Sequence, residues 1–112
     1  MPLRVGCDMV SIGQFRNRLN EAGDLLAERI FHPVECAGAS VERLAGLFAA
    51  KEATLKALNL PAGTWLEILI EHDPQGAPKV CFLEPKPWMK EITVSISHTG
   101  DYAIAVVAAI LE

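Results

Sequence analysis

The stretch Leu44-Ala45-Gly46-Leu47-Phe48-Ala49-Ala50-Lys51-Glu52-Ala53-Thr54-Leu55-Lys56-Ala57-Leu58 decides the fold, because it reads as one long helix. Ser40 is its expected N-cap, a hydroxyl that accepts from an orphan amide of the first turn, and Glu42 adds negative charge at the positive helix end. Asn59 tolerates the left-handed conformation and Pro61 cannot extend the ladder, so the helix should stop there. At about 100° per residue, Val41, Leu44, Ala45, Phe48 and Leu55 share one face, with Glu52 in its middle. Gly46, Ala50, Ala53 and Ala57 make a stripe of very small residues opposite. A solvated face would carry long polar side chains, so both sides are expected to pack closely. A carboxylate aimed into such a face needs a cation, a donor or a metal.

Working outward, Leu3 to Val10 alternates as a strand, with Leu3, Val5, Cys7 and Met9 on one face and Arg4, Gly6, Asp8 and Val10 on the other. Asp8 falls near the strand's end, where it could simply cap the following helix. Ser11 to Leu19 and Asp24 to Phe31 read as short helices, broken at Asn20 to Gly23. His32-Pro33-Val34-Glu35 reads as a turn or one-turn helix, with His32 at the surface or in a cap. After Gly63 the period changes to that of strands. Thr64 to His72 and Lys79 to Leu83 form a hairpin around Asp73-Pro74-Gln75-Gly76. Glu84 to Pro87 is a proline-rich loop. Glu91 to Ser97 and Tyr102 to Leu111 form a second hairpin, turning at His98 to Asp101. That last strand is apolar on both faces, whereas a half-exposed antiparallel strand should show a polar one. One face is therefore expected against the long helix and the other against a partner subunit.

The 112 residues suit one domain, residues 1–112, of α+β class: an antiparallel sheet packed on one long central helix. Hydrophobic residues make up 51% of the chain and mean hydropathy is +0.26, high for a small soluble domain and best explained by a covered surface. No apolar run reaches bilayer length and no signal-peptide pattern opens the chain, so no membrane partner is expected. A net charge of −4 speaks against a broad nucleic-acid footprint. The three unpatterned cysteines (Cys7, Cys36, Cys81) fit free thiols in a reducing cytoplasm, expected as small buried apolar residues.

Three polar residues interrupt apolar elements: Asp8, Glu52 and His98. Lys56 lies one turn beyond Glu52, where the two could form an ordinary ion pair. Alternatively Asp8 and Glu52 together suit Mg²⁺, a hard cation satisfied by one or two carboxylates plus phosphate and water oxygens, with Lys56 and His98 meeting phosphate charge. No glycine-rich phosphate cradle of the familiar kinds is present.

Four ordered motifs resemble one family: Gly6-Cys7-Asp8-Met9-Val10, the Leu44–Leu58 helix, Trp65-Leu66-Glu67-Ile68-Leu69-Ile70, and Val94-Ser95-Ile96-Ser97-His98-Thr99-Gly100-Asp101-Tyr102-Ala103. They are similar to those of holo-acyl carrier protein synthase, the small trimeric class of 4′-phosphopantetheinyl transferases. The resemblance implies transfer of the phosphopantetheine arm of coenzyme A to a serine of acyl carrier protein, releasing adenosine 3′,5′-bisphosphate. It implies Mg²⁺ on Asp8 and Glu52, catalysis by Glu52 and Lys56, and coenzyme A held by Lys56 and His98. It also implies a homotrimer with sites in the clefts between subunits. Gln14 and Leu47 stand where the family usually carries arginines for the carrier protein and the coenzyme. Arg16, Arg18 and Arg29 could supply a replacement basic surface for an acidic carrier or stand as ordinary solvated charges. The alternative these departures favour is a non-catalytic relative that binds coenzyme A or a carrier protein within a biosynthetic assembly.

Overall fold

The computed structural model describes residues 1–112. Strand β1 (Leu3–Ser11) leads into helices α1 (Ile12–Ala22), α2 (Asp24–Ile30) and the one-turn α3 (Pro33–Cys36), then the long α4 (Val41–Leu58). Strands β2 (Ile68–His72) and β3 (Pro78–Phe82) form one hairpin, and β4 (Met89–His98) and β5 (Tyr102–Leu111) another. The expected sheet on the helix is three-stranded and antiparallel in the order β1-β5-β4, and the β2-β3 hairpin stands apart as a second small sheet. The local signals act as expected. The Arg43 amide donates to Ser40 Oγ at 3.1 Å, and Asn59 closes α4 in the left-handed conformation with φ 53° and ψ 43°. Ser11, not Asp8, caps α1, accepting from the Gln14 amide. Trp65–Glu67 departs from the strand expected over Thr64 to His72: it forms a 3-10 turn before β2 begins.

The small-residue stripe on α4 is where the sheet settles. Gly46, Ala50, Ala53 and Ala57 are buried, as are Ala103, Ala105, Val107 and Ala109 on the inner face of β5, against which α4 packs. The closest approach is at Gly6. A Cβ built there would lie 2.0 Å from the Ala53 carbonyl oxygen and 2.8 Å from the Ala57 amide nitrogen. Only hydrogen fits between this strand and this helix.

Glu52 is not the deepest charge on α4. It is half-buried, whereas its neighbour Lys51 is fully buried. The Lys51 ammonium donates to Glu35 Oε1 at 2.7 Å and to the Ile30 carbonyl at 2.7 Å. The other Glu35 oxygen accepts from the Ile70 amide at 2.9 Å, and Oε1 also accepts from the His32 amide at 2.8 Å. One buried pair thus ties the end of α2, the turn of α3 and strand β2 to the middle of α4. Burial lowers the Lys51 pKa and Glu35 opposes that shift. Such a pair adds little net stability over an apolar core, but removing one partner strands a buried charge.

The outer face of β1 and β5 is exposed and apolar: Leu3, Val5 and Met9 lie beside Ile104 and Val106, with Tyr102 at the end. Cys7 is exposed on this face, not buried as expected, while Cys36 and Cys81 are half-buried. On the same face β4 presents Thr93, Ser95 and Ser97, so the apolar area is bounded on that side. No helix is long and apolar enough to cross a membrane.

Two substitutions test this packing. Gly6→Ala is predicted to cost about 3 kcal/mol or more, because backbone atoms on both sides must move apart. Lys51→Met should cost about 3–5 kcal/mol by leaving Glu35 charged and unpaired, and Lys51→Met with Glu35→Leu should recover part of that loss. Urea denaturation of each variant measures both effects.

Candidate active site

Strand β1 runs across α4 at the Gly6 contact, and the next side chain on that face is Asp8. The crossing brings Asp8 against the last turns of the helix. Lys56 Nζ donates to Asp8 Oδ1 at 2.9 Å and to the Cys7 carbonyl at 3.1 Å. The Lys56–Glu52 pair that their spacing would allow within the helix does not form, since the lysine reaches across to the strand instead. Glu52 lies one turn back and shares with Asp8 a cavity of about 250 Å³, also lined by Ser11, Gln14, Arg18 and Phe48. Its apolar backing is continuous: Phe48 stacks on Phe15 with centroids 5.2 Å apart and meets Trp65 at 5.7 Å.

Burial, followed by the negative charge of Asp8, pushes the Glu52 pKa above the ordinary carboxylate range. Trp65 and Lys56 work against that rise. The Trp65 indole N–H is buried and meets no acceptor within strict hydrogen-bond geometry, so its effect on Glu52 is that of a nearby dipole and not of a formed bond. The Lys56 pKa is raised, first by its hydrogen bond to Asp8, so it stays an ammonium at neutral pH.

Two carboxylates that repel each other at the mouth of a cavity, with one cation already engaged, form a donor set that fits Mg²⁺. That ion accepts one or two carboxylates and completes its shell with water and substrate oxygens. No third acidic, histidine or cysteine side chain joins the two.

His98 is elsewhere. It lines a separate cavity of about 610 Å³ with Arg43, Gly46, Leu47, His72 and Ile96. Within one chain the structure therefore brings Asp8, Glu52 and Lys56 together and leaves His98 apart. Leu47 is only 2% exposed, so the helix position before Phe48 is filled by packing and presents no cation. Arg43, one turn earlier on the same side of α4, reaches the His98 cavity and lies 3.2 Å from His72 Nδ1. Burial and then the Arg43 charge lower the His72 pKa. Sequence reasoning passed over Arg43, although it and Lys51 both lie four residues from Leu47, and of the two only Arg43 is exposed. Of the basic residues on α1, Arg16 pairs with Glu42 at 3.3 Å, whereas Arg18 lines the Asp8–Glu52 cavity beside Gln14.

The 4′-phosphopantetheinyl transferase superfamily model matches residues 4–107. The chain belongs to this superfamily. It is 40% identical over 110 residues to the holo-[acyl-carrier-protein] synthase of Campylobacter curvus, covering 91% of this chain and 96% of the relative. It is 36% identical over 117 residues to the enzyme of the same name from a Sulfurovum species, covering 98% of both. The crystal structure of Helicobacter pylori holo-[acyl-carrier-protein] synthase in complex with coenzyme A superimposes with a TM-score of 0.88 at 32% identity, covering 95% of this chain and 99% of that one. The α+β architecture is thus that of the phosphopantetheinyl transferases, and the family placement agrees with the four motifs.

The electrostatics give a direct test. Because the fold holds Glu52's proton more tightly than the unfolded chain does, ionising it costs stability once pH rises through the raised pKa. Glu52→Gln is therefore expected to raise Tm at neutral pH and to leave it unchanged below the usual carboxylate range. Asp8→Asn removes the repelling charge and should lower the Glu52 pKa, measurable by carboxyl-carbon NMR titration.

Proposed function

We propose that Asp8, Glu52 and Lys56 carry the transfer of phosphopantetheine from coenzyme A to a serine of an acyl carrier protein, with Asp8 and Glu52 as the Mg²⁺ ligands. The observation that supports this most is the meeting of two mutually repelling carboxylates and a lysine at the Gly6 crossing, in a chain whose relatives are holo-acyl carrier protein synthases.

In this reading the serine oxygen attacks the β-phosphorus of coenzyme A, forming one P–O bond as the bond to the bridging oxygen breaks. The electron pair leaves with adenosine 3′,5′-bisphosphate. Glu52 accepts the serine proton, directly or through water. Its raised proton affinity makes it a stronger base than an exposed carboxylate once it is ionised. Lys56, held by Asp8 and the Cys7 carbonyl, keeps one further donor for a non-bridging phosphate oxygen, where charge accumulates in the transition state. Bound Mg²⁺ would offset negative charge on the pyrophosphate. Phe48, Phe15 and Trp65 back the carboxylates and limit water on that side.

His98 enters the same reading through assembly. Its cavity is remote from Lys56 within one chain, and the exposed β1–β5 face offers the apolar area a second subunit would cover. We infer a homotrimer in which a neighbour's His98 and Arg43 face the coenzyme bound at Asp8, Glu52 and Lys56. Arg18 at the cavity mouth is the cation placed to meet an acidic carrier protein, and the cytoplasm is the compartment that holds these substrates.

Three outcomes are expected. Incubation with coenzyme A, Mg²⁺ and apo-acyl carrier protein should add the phosphopantetheine mass to the carrier, and chelation should stop it. Asp8→Ala and Glu52→Ala should each slow transfer at least about 100-fold with the oligomer unchanged. Sedimentation should give a trimer; a monomer at micromolar concentration would contradict the interfacial role of His98. Binding of coenzyme A without any transfer to a folded cognate carrier would overturn the catalytic reading.

A further inference from the structure

Arg4 stands on the same face of β1 as Gly6 and Asp8, on the opposite side of the crossing from Asp8. Successive same-face residues are about 7 Å apart along a strand, so Arg4 and Asp8 are separated by roughly 13 Å. The residue between them has no side chain, because the helix backbone occupies its place. Lys56 bridges the two sides. It is bound to Asp8 on one and lines, on the other, a cavity of about 690 Å³ whose walls include Arg4, Asn59, Trp88, Leu58 and Leu111.

The charge of this cavity is distinctive. Glu52 and Asp8 line one of the other cavities and Glu42 another, each beside basic groups. The Arg4 cavity has two cations in its walls and no carboxylate. Arg4 is exposed and takes part in none of the chain's three ion pairs. Lys56, by contrast, already gives two donors to Asp8 and Cys7. Trp88 is 39% exposed and lines the same cavity as Arg4. Glu112 donates its amide to the Trp88 carbonyl but does not line the cavity.

We propose that Arg4 is a second phosphate-binding cation of the site, receiving a phosphate of the nucleotide portion of coenzyme A while Trp88 packs against its planar or apolar part. The inference rests on the reading of Asp8, Glu52 and Lys56 as the transfer site and extends it to a subsite across the Gly6 crossing. A guanidinium matches phosphate geometry with two parallel N–H donors, which a lysine cannot reproduce. Arg4 adds the charge that Lys56, partly neutralised by Asp8, does not supply to a diphosphate.

Calorimetry with coenzyme A and with adenosine 3′,5′-bisphosphate, at low and moderate salt, tests the assignment without requiring turnover. Arg4→Ala is expected to weaken both ligands by about tenfold and to flatten the salt dependence, with Arg4→Lys recovering part of the affinity. In transfer assays, KM for coenzyme A should rise more than kcat falls. Unchanged affinity for both ligands would overturn the proposal. So would loss for coenzyme A alone, which would place Arg4 on the pantetheine arm. Wild-type binding without transfer, abolished salt-dependently by Arg4→Ala, would refute the catalytic reading while leaving this subsite standing.

Discussion

The contact between Gly6 and the backbone of α4 is the constraint on which the rest depends. With the Ala53 carbonyl 2.0 Å from where a Cβ would sit, strand and helix touch backbone to backbone. Neither half of that contact suffices alone. A helix of alanines with an ordinary strand residue would be held off by the side chain, and a glycine facing leucines would leave a void. Together they set the depth at which the sheet sits on α4. That depth allows Lys56 Nζ to reach both Asp8 and the Cys7 carbonyl. A wider separation would place the strand carboxylate beyond the helix's lysine. The packing of the small-residue stripe and the Lys56–Asp8 bond are thus consequences of one short distance.

Lys51 and Glu52 divide the work of adjacent positions. Separated by about 100° around the axis, they point into different environments. Lys51 is sealed in a buried hydrogen-bonded pair with Glu35, and Glu52 stays half-buried beside Asp8 and Trp65. The sealed pair collects the carbonyl of Ile30 and the amides of His32 and Ile70 onto one turn of α4. Segments that precede and follow the helix are thereby referenced to the turn that carries Glu52. An apolar core at that point would pack as well but would leave those backbone groups without partners. The ion pair's value lies in position more than in net energy.

Much of this was legible from residue pattern. Ser40 and Asn59 bounded α4 because caps and left-handed terminators are local chemistry, and the alternation of Tyr102 to Leu111 separated its two faces correctly. Asp8 and Glu52 could be singled out because polar residues interrupt apolar elements there. What pattern could not supply was depth. A single helical wheel placed Glu52 at the centre of the packed face, whereas the close sheet contact turns α4 so that Lys51 is the sealed charge. The Lys56–Asp8 bond escaped for a related reason, since spacing along a helix proposes only partners on that helix. Trp65–Glu67 carries strand-forming side chains but is held in a 3-10 turn, with Glu67 also accepting from the Leu83 amide through its carbonyl. Cys7 looked like a core residue because its alternation with Leu3, Val5 and Met9 marks an apolar face without saying whether the same chain covers it.

That outer face and the separation of His98 from Lys56 have a common physical origin. The inner face of β5 is lined with alanine and valine because α4 lies so close, so small side chains suffice there. The bulkier residues Tyr102, Ile104 and Val106 are then left on the outside, aligned with Met9, Val5 and Leu3 of β1. A small domain has no further element to cover them. At the same time, the tight crossing commits Lys56 and Asp8 to one flank of the sheet, and the β4–β5 turn carries His98 away to another. The close approach that joins Lys56 to Asp8 within one chain therefore also leaves the apolar β1–β5 face bare.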